Sequence, residues 1–230
     1  MIKGLKILAL IPARGGSKGI KNKNLLRIKG KSLIELASKF IDKCKFFDEK
    51  FISTDSDSIK NEGKKFNLKI IHRPKILSGD RISDFSVIIH SLKYIKKQKL
   101  NYDYLVYLQP TSPNRNINHL KRALKLVIKL KLNGAWSVDR INIKFHPLKI
   151  LTLSKKKYLK LFDQRGKKIV ARQQLNKNIF IRNGAFYIFR IKPFLKSNSL
   201  YLNKIVPSVS SLTYANIDTL EDFKKASLIN

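Results

Sequence analysis

A glycine-rich, basic segment directly follows the first long apolar run of the sequence. Its glycines are Gly15, Gly16 and Gly19, and its cations are Arg14, Lys18 and Lys23. Glycines let backbone N–H groups approach a polyphosphate closely, and arginine and lysine add positive charge there. The Gly-Lys-Ser/Thr spacing of a P-loop is missing, and a flexible turn with incidental charge is the alternative. We predict a phosphate-binding loop.

The pattern around this segment predicts an α/β fold. The continuous apolar run Leu5–Ile11 predicts a buried strand, and Ser32–Cys44 has the apolar face of a helix that Ser32 caps. Further strands are predicted at 50–53, 68–71, 104–108, 135–138 and 184–190, and further helices at 57–66, 83–97, 116–132 and 220–228. This alternation predicts a doubly wound, mostly parallel Rossmann-like sheet. Ligands bind at the carboxyl ends of the strands in such sheets.

The regular alternation ends after Asp139. Residues 140–182 contain short β-like pieces at Lys149–Leu153 and Tyr158–Phe162, followed by a charged turn at 163–167. We therefore expect one α/β domain over residues 1–230, with a small β-rich insertion at 140–182 that serves as a dimerisation arm.

The composition is strongly basic, with 49 Lys and Arg against 15 Asp and Glu and a net charge of +34. The lysines are scattered through every predicted helix, which favours a solvated surface that attracts anionic substrates. A nucleic-acid-binding protein is the alternative reading. A single cysteine, a short N-terminal apolar run and the lack of a long apolar stretch lead us to expect a cytoplasmic protein without a membrane span.

Several ordered segments resemble acylneuraminate (CMP-sialic acid) cytidylyltransferases along nearly the whole chain. They are Ile11–Asn24, Ser53–Ser56, Arg73–Asp80, Leu108–Pro113, Arg172–Gln174 with Asn183–Tyr187, and Ile217–Asp222. The resemblance implies that residues 1–230 form a single nucleotidyltransferase domain. It also implies a homodimeric enzyme that couples CTP to an acidic nine-carbon sugar and releases pyrophosphate. The alternatives are a cytidylyltransferase for another 3-deoxy sugar acid, and a degenerate relative that binds CTP with weak turnover.

The resemblance also implies roles for individual residues. The nucleotide would be held by Arg14, Gly15, Gly16, Ser17, Lys18, Asn24, Arg73, Ser83 and Gln109. The sugar would be held by Gln109, Lys149, Arg172, Gln173 and Tyr187. Catalysis would fall to Arg14, Lys23, Arg172 and Asp218. The alternatives are a strand-ending turn at Gln109, a surface lysine at 149 and a core tyrosine at 187.

A departure from the family concerns the metal. The family pattern Asp-Ile-Asp holds Mg²⁺, whereas this chain has Asn216-Ile217-Asp218. The amide oxygen of Asn216 can still bind a hard cation, although Mg²⁺ prefers carboxylates and phosphates. The resemblance therefore implies a Mg²⁺ site at Asp218 and Asn216 that is weaker than usual, with Asp55 or Asp222 as alternative ligands.

Overall fold

The computed structural model describes residues 4–17, 19–210 and 214–229. These residues form two compact units. Residues 138–182 make up the smaller unit, and the described residues on either side of that stretch make up the larger one.

The larger unit is built on a seven-stranded sheet. The strands of the chain, in sequence order, are β1 (Ile7–Pro12), β2 (Arg27–Ile28), β3 (Lys31–Ser32), β4 (Glu49–Thr54), β5 (Lys69–His72), β6 (Tyr104–Tyr107), β7 (Gly134–Arg140), β8 (Leu151–Leu153), β9 (Leu159–Leu161), β10 (Phe180–Arg190) and β11 (Ile205–Val209). The order across the sheet is β11-β7-β10-β6-β1-β4-β5. β1 runs parallel to β4 and β6, β4 runs parallel to β5, and β10 is antiparallel to β6. The predicted doubly wound, mostly parallel fold is confirmed.

The helices follow the strands as expected. They are α1 (Leu33–Cys44), α2 (Asp57–Lys65), α3 (Asp84–Lys97), α4 (Ile117–Lys129), α5 (Ile191–Leu195) and α6 (Leu220–Ile229). Ser32, Ser56, Ser83 and Asn116 cap the first four, each accepting a backbone N–H three residues further on. Three of these helices begin one residue later than predicted, because the capping residue itself is extended. Within the described residues, no helix has the length and apolar character needed to cross a membrane.

Both faces of the sheet are buried. Ile7, Ala9 and Ile11 of β1 belong to one apolar cluster that also contains residues of α1, α2 and α4. Leu8 and Leu10 point to the opposite face, because side chains alternate along a strand, and they are also fully buried. β1 is thus buried on both faces in the centre of the sheet, as expected for a doubly wound fold.

Several boundaries differ from the prediction. β11 and α5 were not predicted, and β10 begins at Phe180 instead of Gly184. Helix α4 ends at Lys129, short of the predicted Leu132, and Lys131 just beyond it adopts a left-handed conformation with φ of 50°.

The unit of residues 138–182 has little regular structure. β8 and β9 form a hairpin in which Leu151 pairs with Leu161. The strand predicted from Lys149 starts later, because Pro147–Lys149 forms a 3₁₀ helix. The predicted charged turn is a 3₁₀ helix, Gln164–Lys168, which Asp163 caps by accepting from Arg165 N. The apolar side chains that this unit exposes are Phe145, Ile150, Leu151, Leu153, Tyr158, Leu159, Phe162, Val170 and Ile181. Its role as a dimerisation arm stays a prediction.

Candidate active site

The glycine-rich segment leaves β1 at the carboxyl edge of the sheet and packs against the start of α2. Gly15 N donates to Asp55 Oδ1 at 2.9 Å. A Cβ built on Gly15 would lie 2.8 Å from Ser56 Cβ, so a side chain there would displace the cap of α2. Asn24 Nδ2 donates to Arg14 O at 3.0 Å and closes the segment on itself.

Other predicted members of this segment are less constrained. Ser17 N donates to Gly15 O at 3.2 Å, and a Cβ on Gly16 would meet open space. Lys18 lies outside the described residues. Gly16 and Ser17 therefore lie beside an opening in which a ligand could approach the backbone.

Arg14 reaches toward the loop that follows β5. Its Nη2 lies 2.7 Å from Asp80 Oδ1, and its Nη1 donates to Ser78 O at 3.2 Å. About a third of each of these two charged side chains is exposed. The guanidinium is therefore held in place and remains open to an anionic ligand. Asp80 was not predicted as a partner of Arg14.

The segment containing Asn216 and Asp218 lies against the glycine-rich loop. Ile217 between them is fully buried, and its N–H donates to Thr111 O at 2.9 Å. Lys23 Nζ lies 2.9 Å from Asp218 Oδ1, and Asn216 Nδ2 donates to Asp218 Oδ2 at 2.9 Å. The structure thus brings together a lysine and two oxygen ligands that are distant in sequence.

The donor set can be tested for its fit to Mg²⁺. Within the described parts of the chain, no group of three or more His, Cys, Asp or Glu residues is placed to hold a metal. Asp55 supports Gly15 N, and Asp222 accepts from the N–H groups of Asp218 and Thr219. Asp218 and Asn216 therefore fit a Mg²⁺ ion that takes most of its ligands from phosphates and water, which is the usual binding mode of this ion.

Arg73 is buried, with 4 % of its surface exposed. Its Nη2 donates to Ser53 O at 2.9 Å. Burial lowers the pKa of Arg73, and Tyr107, Asp55 and Asp84 oppose that shift. This arginine therefore supports the carboxyl edge of the sheet from within, unlike an ordinary surface cation.

Gln109 is fixed by a residue that was not predicted. The partly buried Arg115 donates through Nε to Ala185 O at 2.7 Å and through Nη2 to Gln109 O. Burial lowers the pKa of Arg115 to about 9. Ser112 Oγ adds a bond to Asn183 O at 3.1 Å. Arg115 lies just beyond the Gln-Pro-Thr-Ser-Pro segment, and this position is the sequence feature that could have identified it.

Tyr187 and Ser83 are each connected to Gln109 through intervening residues. Tyr187 is paired in register with Tyr107, and the two rings stack with centroids 6.4 Å apart. Ser83 caps α3, accepting from Ser86 N at 3.2 Å.

The remaining predicted sugar ligands belong to the unit of residues 138–182. Lys149, Arg172 and Gln173 are all exposed there. His146 is buried, and its Nδ1 accepts from Leu148 N at 3.2 Å, which agrees with a structural role. The assignment of the three exposed residues to a sugar site stays a prediction.

The family model for cytidylyltransferases matches residues 8–226. The chain belongs to the cytidylyltransferase family. The resemblance drawn from the ordered motifs is thereby confirmed, and with it the assignment of the protein to the nucleotidyltransferase class of enzymes.

Similar proteins activate acidic sugars. The chain is 32 % identical to the N-acylneuraminate cytidylyltransferase of Escherichia coli O18:K1:H7, covering 97 % of this chain and 52 % of that protein. It is 28 % identical to the pseudaminic acid cytidylyltransferase of Campylobacter jejuni, covering 98 % and 96 %. It is also 28 % identical to the CMP-N,N'-diacetyllegionaminic acid synthase of Legionella pneumophila, covering 93 % and 90 %. The chain thus spans about half the length of the E. coli relative and nearly the whole length of the other two.

Solved structures share the fold. CMP:2-keto-3-deoxy-manno-octonic acid synthetase in complex with CTP aligns with a TM-score of 0.68 at 15 % identity, over 97 % of this chain and 98 % of that one. A 4-diphosphocytidyl-2C-methyl-D-erythritol synthase aligns with a TM-score of 0.69 at 10 % identity, over 98 % of both chains. These likenesses establish the architecture of the sheet.

Proposed function

We propose that this cytidylyltransferase couples CTP to the anomeric hydroxyl of an acidic nine-carbon sugar, giving a CMP-sugar and pyrophosphate. The proposal is carried by one observation. The cations Arg14 and Lys23 flank an open glycine-containing segment, and a carboxylate, Asp218, lies 2.9 Å from Lys23. That combination suits a triphosphate and an accompanying divalent cation.

The chain's own residues would act mainly by positioning and electrostatics. The anomeric oxygen attacks the α-phosphorus of CTP and forms a new P–O bond, while the bond to the β-phosphate oxygen breaks and pyrophosphate leaves. The hydroxyl proton passes to solvent. Arg14 and Lys23 would neutralise the charge that develops on the phosphates. Gln109, whose Nε2 lies 3.4 Å from Asp84 Oδ2, would contact the bound substrates.

Magnesium is the expected cofactor. Asp218 and Asn216 would hold it, and when bound it would offset the negative charge of the triphosphate. Asn216 supplies a neutral oxygen where a carboxylate would attract the ion more strongly. Lys23, within 2.9 Å of Asp218, must adjust its contact when the ion arrives.

The sugar is proposed from the relatives. The similar proteins are named for N-acylneuraminate, pseudaminic acid and diacetyllegionaminic acid, which are all acidic nine-carbon sugars. The basic surface of this chain favours anionic substrates of that kind. A cytoplasmic location belongs to the proposal, because CTP is made there and Cys44 is a buried free thiol.

A homodimer is also part of the proposal. The smaller unit exposes Tyr158, Leu159 and Phe162, each with about 70 % of its surface accessible. Apolar side chains exposed in one small unit are typical of a surface that another chain covers. A second copy of this chain is the proposed partner. Light scattering coupled to gel filtration should report a dimer that the Leu159→Glu variant shifts toward monomer. An unchanged mass for that variant would argue against this surface.

The direct test of the function is a product assay. Purified protein is incubated with CTP, Mg²⁺ and one sugar acid at a time, namely each of the three above and 3-deoxy-manno-octulosonate. CMP-sugar is identified by mass spectrometry, and pyrophosphate is quantified. We expect one sugar acid to be strongly preferred, and CTP to be used far better than UTP, because a mismatched base edge leaves buried hydrogen-bonding groups unpaired. Turnover of 3-deoxy-manno-octulosonate alone would instead favour the other sugar-acid branch.

A further inference from the structure

Asp84, the first residue of α3, holds two side chains of the candidate site. Its Oδ1 accepts from Tyr107 Oη at 2.7 Å, and its Oδ2 lies 3.4 Å from Gln109 Nε2. A carboxylate only accepts hydrogen bonds. The amide end of Gln109 that faces Asp84 must therefore be the nitrogen, and the orientation of this amide is chemically determined.

The opposite end of that amide lies against Gly184. A Cβ built on Gly184 would lie 2.7 Å from Gln109 Oε1 and 2.9 Å from Ser112 Oγ, so a side chain there would collide with both. Gly184 also has a φ of 73°, which disfavours any other residue. The lack of a side chain at residue 184 therefore lets Gln109 Oε1 and Ser112 Oγ come close to its backbone.

Other side-chain oxygens also lie near Gly184. Ser112 Oγ donates its hydrogen to Asn183 O at 3.1 Å. Asn216 donates through Nδ2 to Asp218, and its Oδ1 would lie 3.4 Å from a Cβ on Gly184. Asn216 Oδ1 also accepts a long contact from Thr111 Oγ1 at 3.4 Å. The end of the Gln109 amide that lies among these oxygens is thus a hydrogen-bond acceptor, and a group with N–H or O–H hydrogens would complement it.

We propose that Asp84 is a positioning residue that fixes Gln109 as a hydrogen-bond acceptor for a donor group of the substrate. This inference rests on the proposed function and names a determinant of its substrate recognition. Two substrate groups have the required chemistry, namely the exocyclic amine of cytosine and a hydroxyl or acylamino N–H of the sugar acid. Both donate hydrogen bonds, and separate kinetics for the two substrates distinguish them.

The structural reason for a carboxylate at position 84 is its two contacts. Tyr107 is fully buried, and its hydroxyl is anchored on Asp84. In Asp84→Asn, the amide oxygen can keep the bond from Tyr107 while its nitrogen turns to Gln109. Gln109 would then reverse and present its nitrogen where the wild type presents Oε1. The nitrogen of Gln109 and the donor group of the substrate would then face each other, and binding of that substrate should weaken.

The experiment measures KM and kcat for CTP and for the sugar acid separately. Asp84→Asn should raise KM about tenfold for one substrate, which corresponds to one lost hydrogen bond, with little change in kcat. Gln109→Glu should be at least as impaired, because two carboxylates then face each other. The double variant Asp84→Asn with Gln109→Glu should recover, because the amide introduced at position 84 can donate to the carboxylate introduced at position 109. The second oxygen of that carboxylate then accepts from the substrate.

Asp57→Asn is the matched control, since Asp57 begins α2 behind a serine cap just as Asp84 begins α3. It should leave both KM values unchanged. Unchanged KM values in Asp84→Asn, or a double variant no better than Gln109→Glu, would overturn the inference.

A second readout does not depend on turnover. In nuclear magnetic resonance spectra, the side-chain amide hydrogens of Gln109 should exchange slowly with water in the wild type and faster in Asp84→Asn. Equal exchange in both proteins would overturn the positioning role even in an active enzyme. Slow exchange in a protein that turns over none of the sugar acids would uphold the orientation and refute the proposed function instead.

Discussion

Lys23 Nζ and Asp218 Oδ1 lie 2.9 Å apart although 195 residues separate them in the sequence. Lys23 belongs to the phosphate-binding segment predicted after β1, and Asp218 belongs to the predicted metal site. Their contact joins the two predicted functions in one location. The lysine side chain is 18 % exposed and that of the aspartate 64 % exposed, so the carboxylate is the partner with room to exchange ligands.

Asp218→Ala tests this joint location. We expect turnover to fall about 100-fold or more, as for loss of a group that stabilises charge in the transition state, while CTP still binds beside Arg14. Steady-state kinetics and calorimetric titration with CTP measure the two effects. Loss of CTP binding together with turnover would show that Asp218 supports the loop and does not act on the reaction.

Asn216→Asp tests the departure from the family pattern. A second carboxylate beside Asp218 attracts a divalent ion more strongly than an amide does. We expect the Mg²⁺ concentration for half-maximal activity to fall severalfold, with similar turnover at saturating Mg²⁺. A titration curve that does not move would mean that residue 216 is no ligand.

Arg14→Ala tests the phosphate-binding segment. Loss of a charge-assisted hydrogen bond costs about 1.5–3 kcal/mol, so kcat/KM should fall roughly 10- to 100-fold. The Arg14–Asp80 pair is partly exposed, so the thermal midpoint should change little. Arg27→Ala, which removes an exposed arginine paired with Glu62, is the control and should retain activity. Near-normal kinetics of a folded Arg14→Ala protein would mean that the segment is only a structural turn.

A mixing experiment tests the role of Arg172 in the proposed homodimer. If each site takes Arg172 from the partner subunit, the Arg14→Ala and Arg172→Ala variants should each be strongly impaired and should complement each other. Random exchange makes about half of the dimers heterodimers with one intact site, so about a quarter of wild-type activity should return. No recovery after exchange, verified with differently tagged subunits, would assign each site to one chain.

Cys44 predicts a loss of stability at alkaline pH. Burial raises the pKa of its thiol from 9.0 to about 12, so between these values the unfolded chain loses a proton that the folded protein keeps. The free energy of unfolding should therefore fall as pH rises from 9 toward 12. Denaturant titrations at several pH values measure the slope, which should be shallower in Cys44→Ala. Tyr102, whose pKa is also raised to about 12, should preserve part of the slope in that variant.

Local patterns predicted much of the fold, whereas long-range contacts escaped prediction. The apolar run of β1 and the cap at Ser32 are decided by neighbouring residues, and they were correct to within two residues. β11 contains Pro207 and Ser208, is only partly buried and forms an outer strand of the sheet. Its strand structure depends on pairing with a distant partner, so no apolar run in the sequence predicts it.

The candidate site shows the same difference between local patterns and long-range contacts. Arg14 could be singled out from residue type and position, because polar residues just after strands collect at one edge of the sheet. Gln109 was identified through the family resemblance. Asp80 and Asp84, which hold these two side chains, could not be identified. Their positions depend on how the loop after β5 folds back, and side chains far apart in sequence determine that path.

The position of β10 has a consequence for biosynthesis. β10 lies between β6 and β7, although it is translated after both. A nascent chain that has emerged as far as Arg140 therefore contains β7 but lacks the strand that joins it to β6. The backbone edge of β6 stays unpaired until Phe180–Arg190 leave the ribosome, and unpaired edges promote association between chains. A chaperone that shields exposed strand edges would act on this protein during that interval.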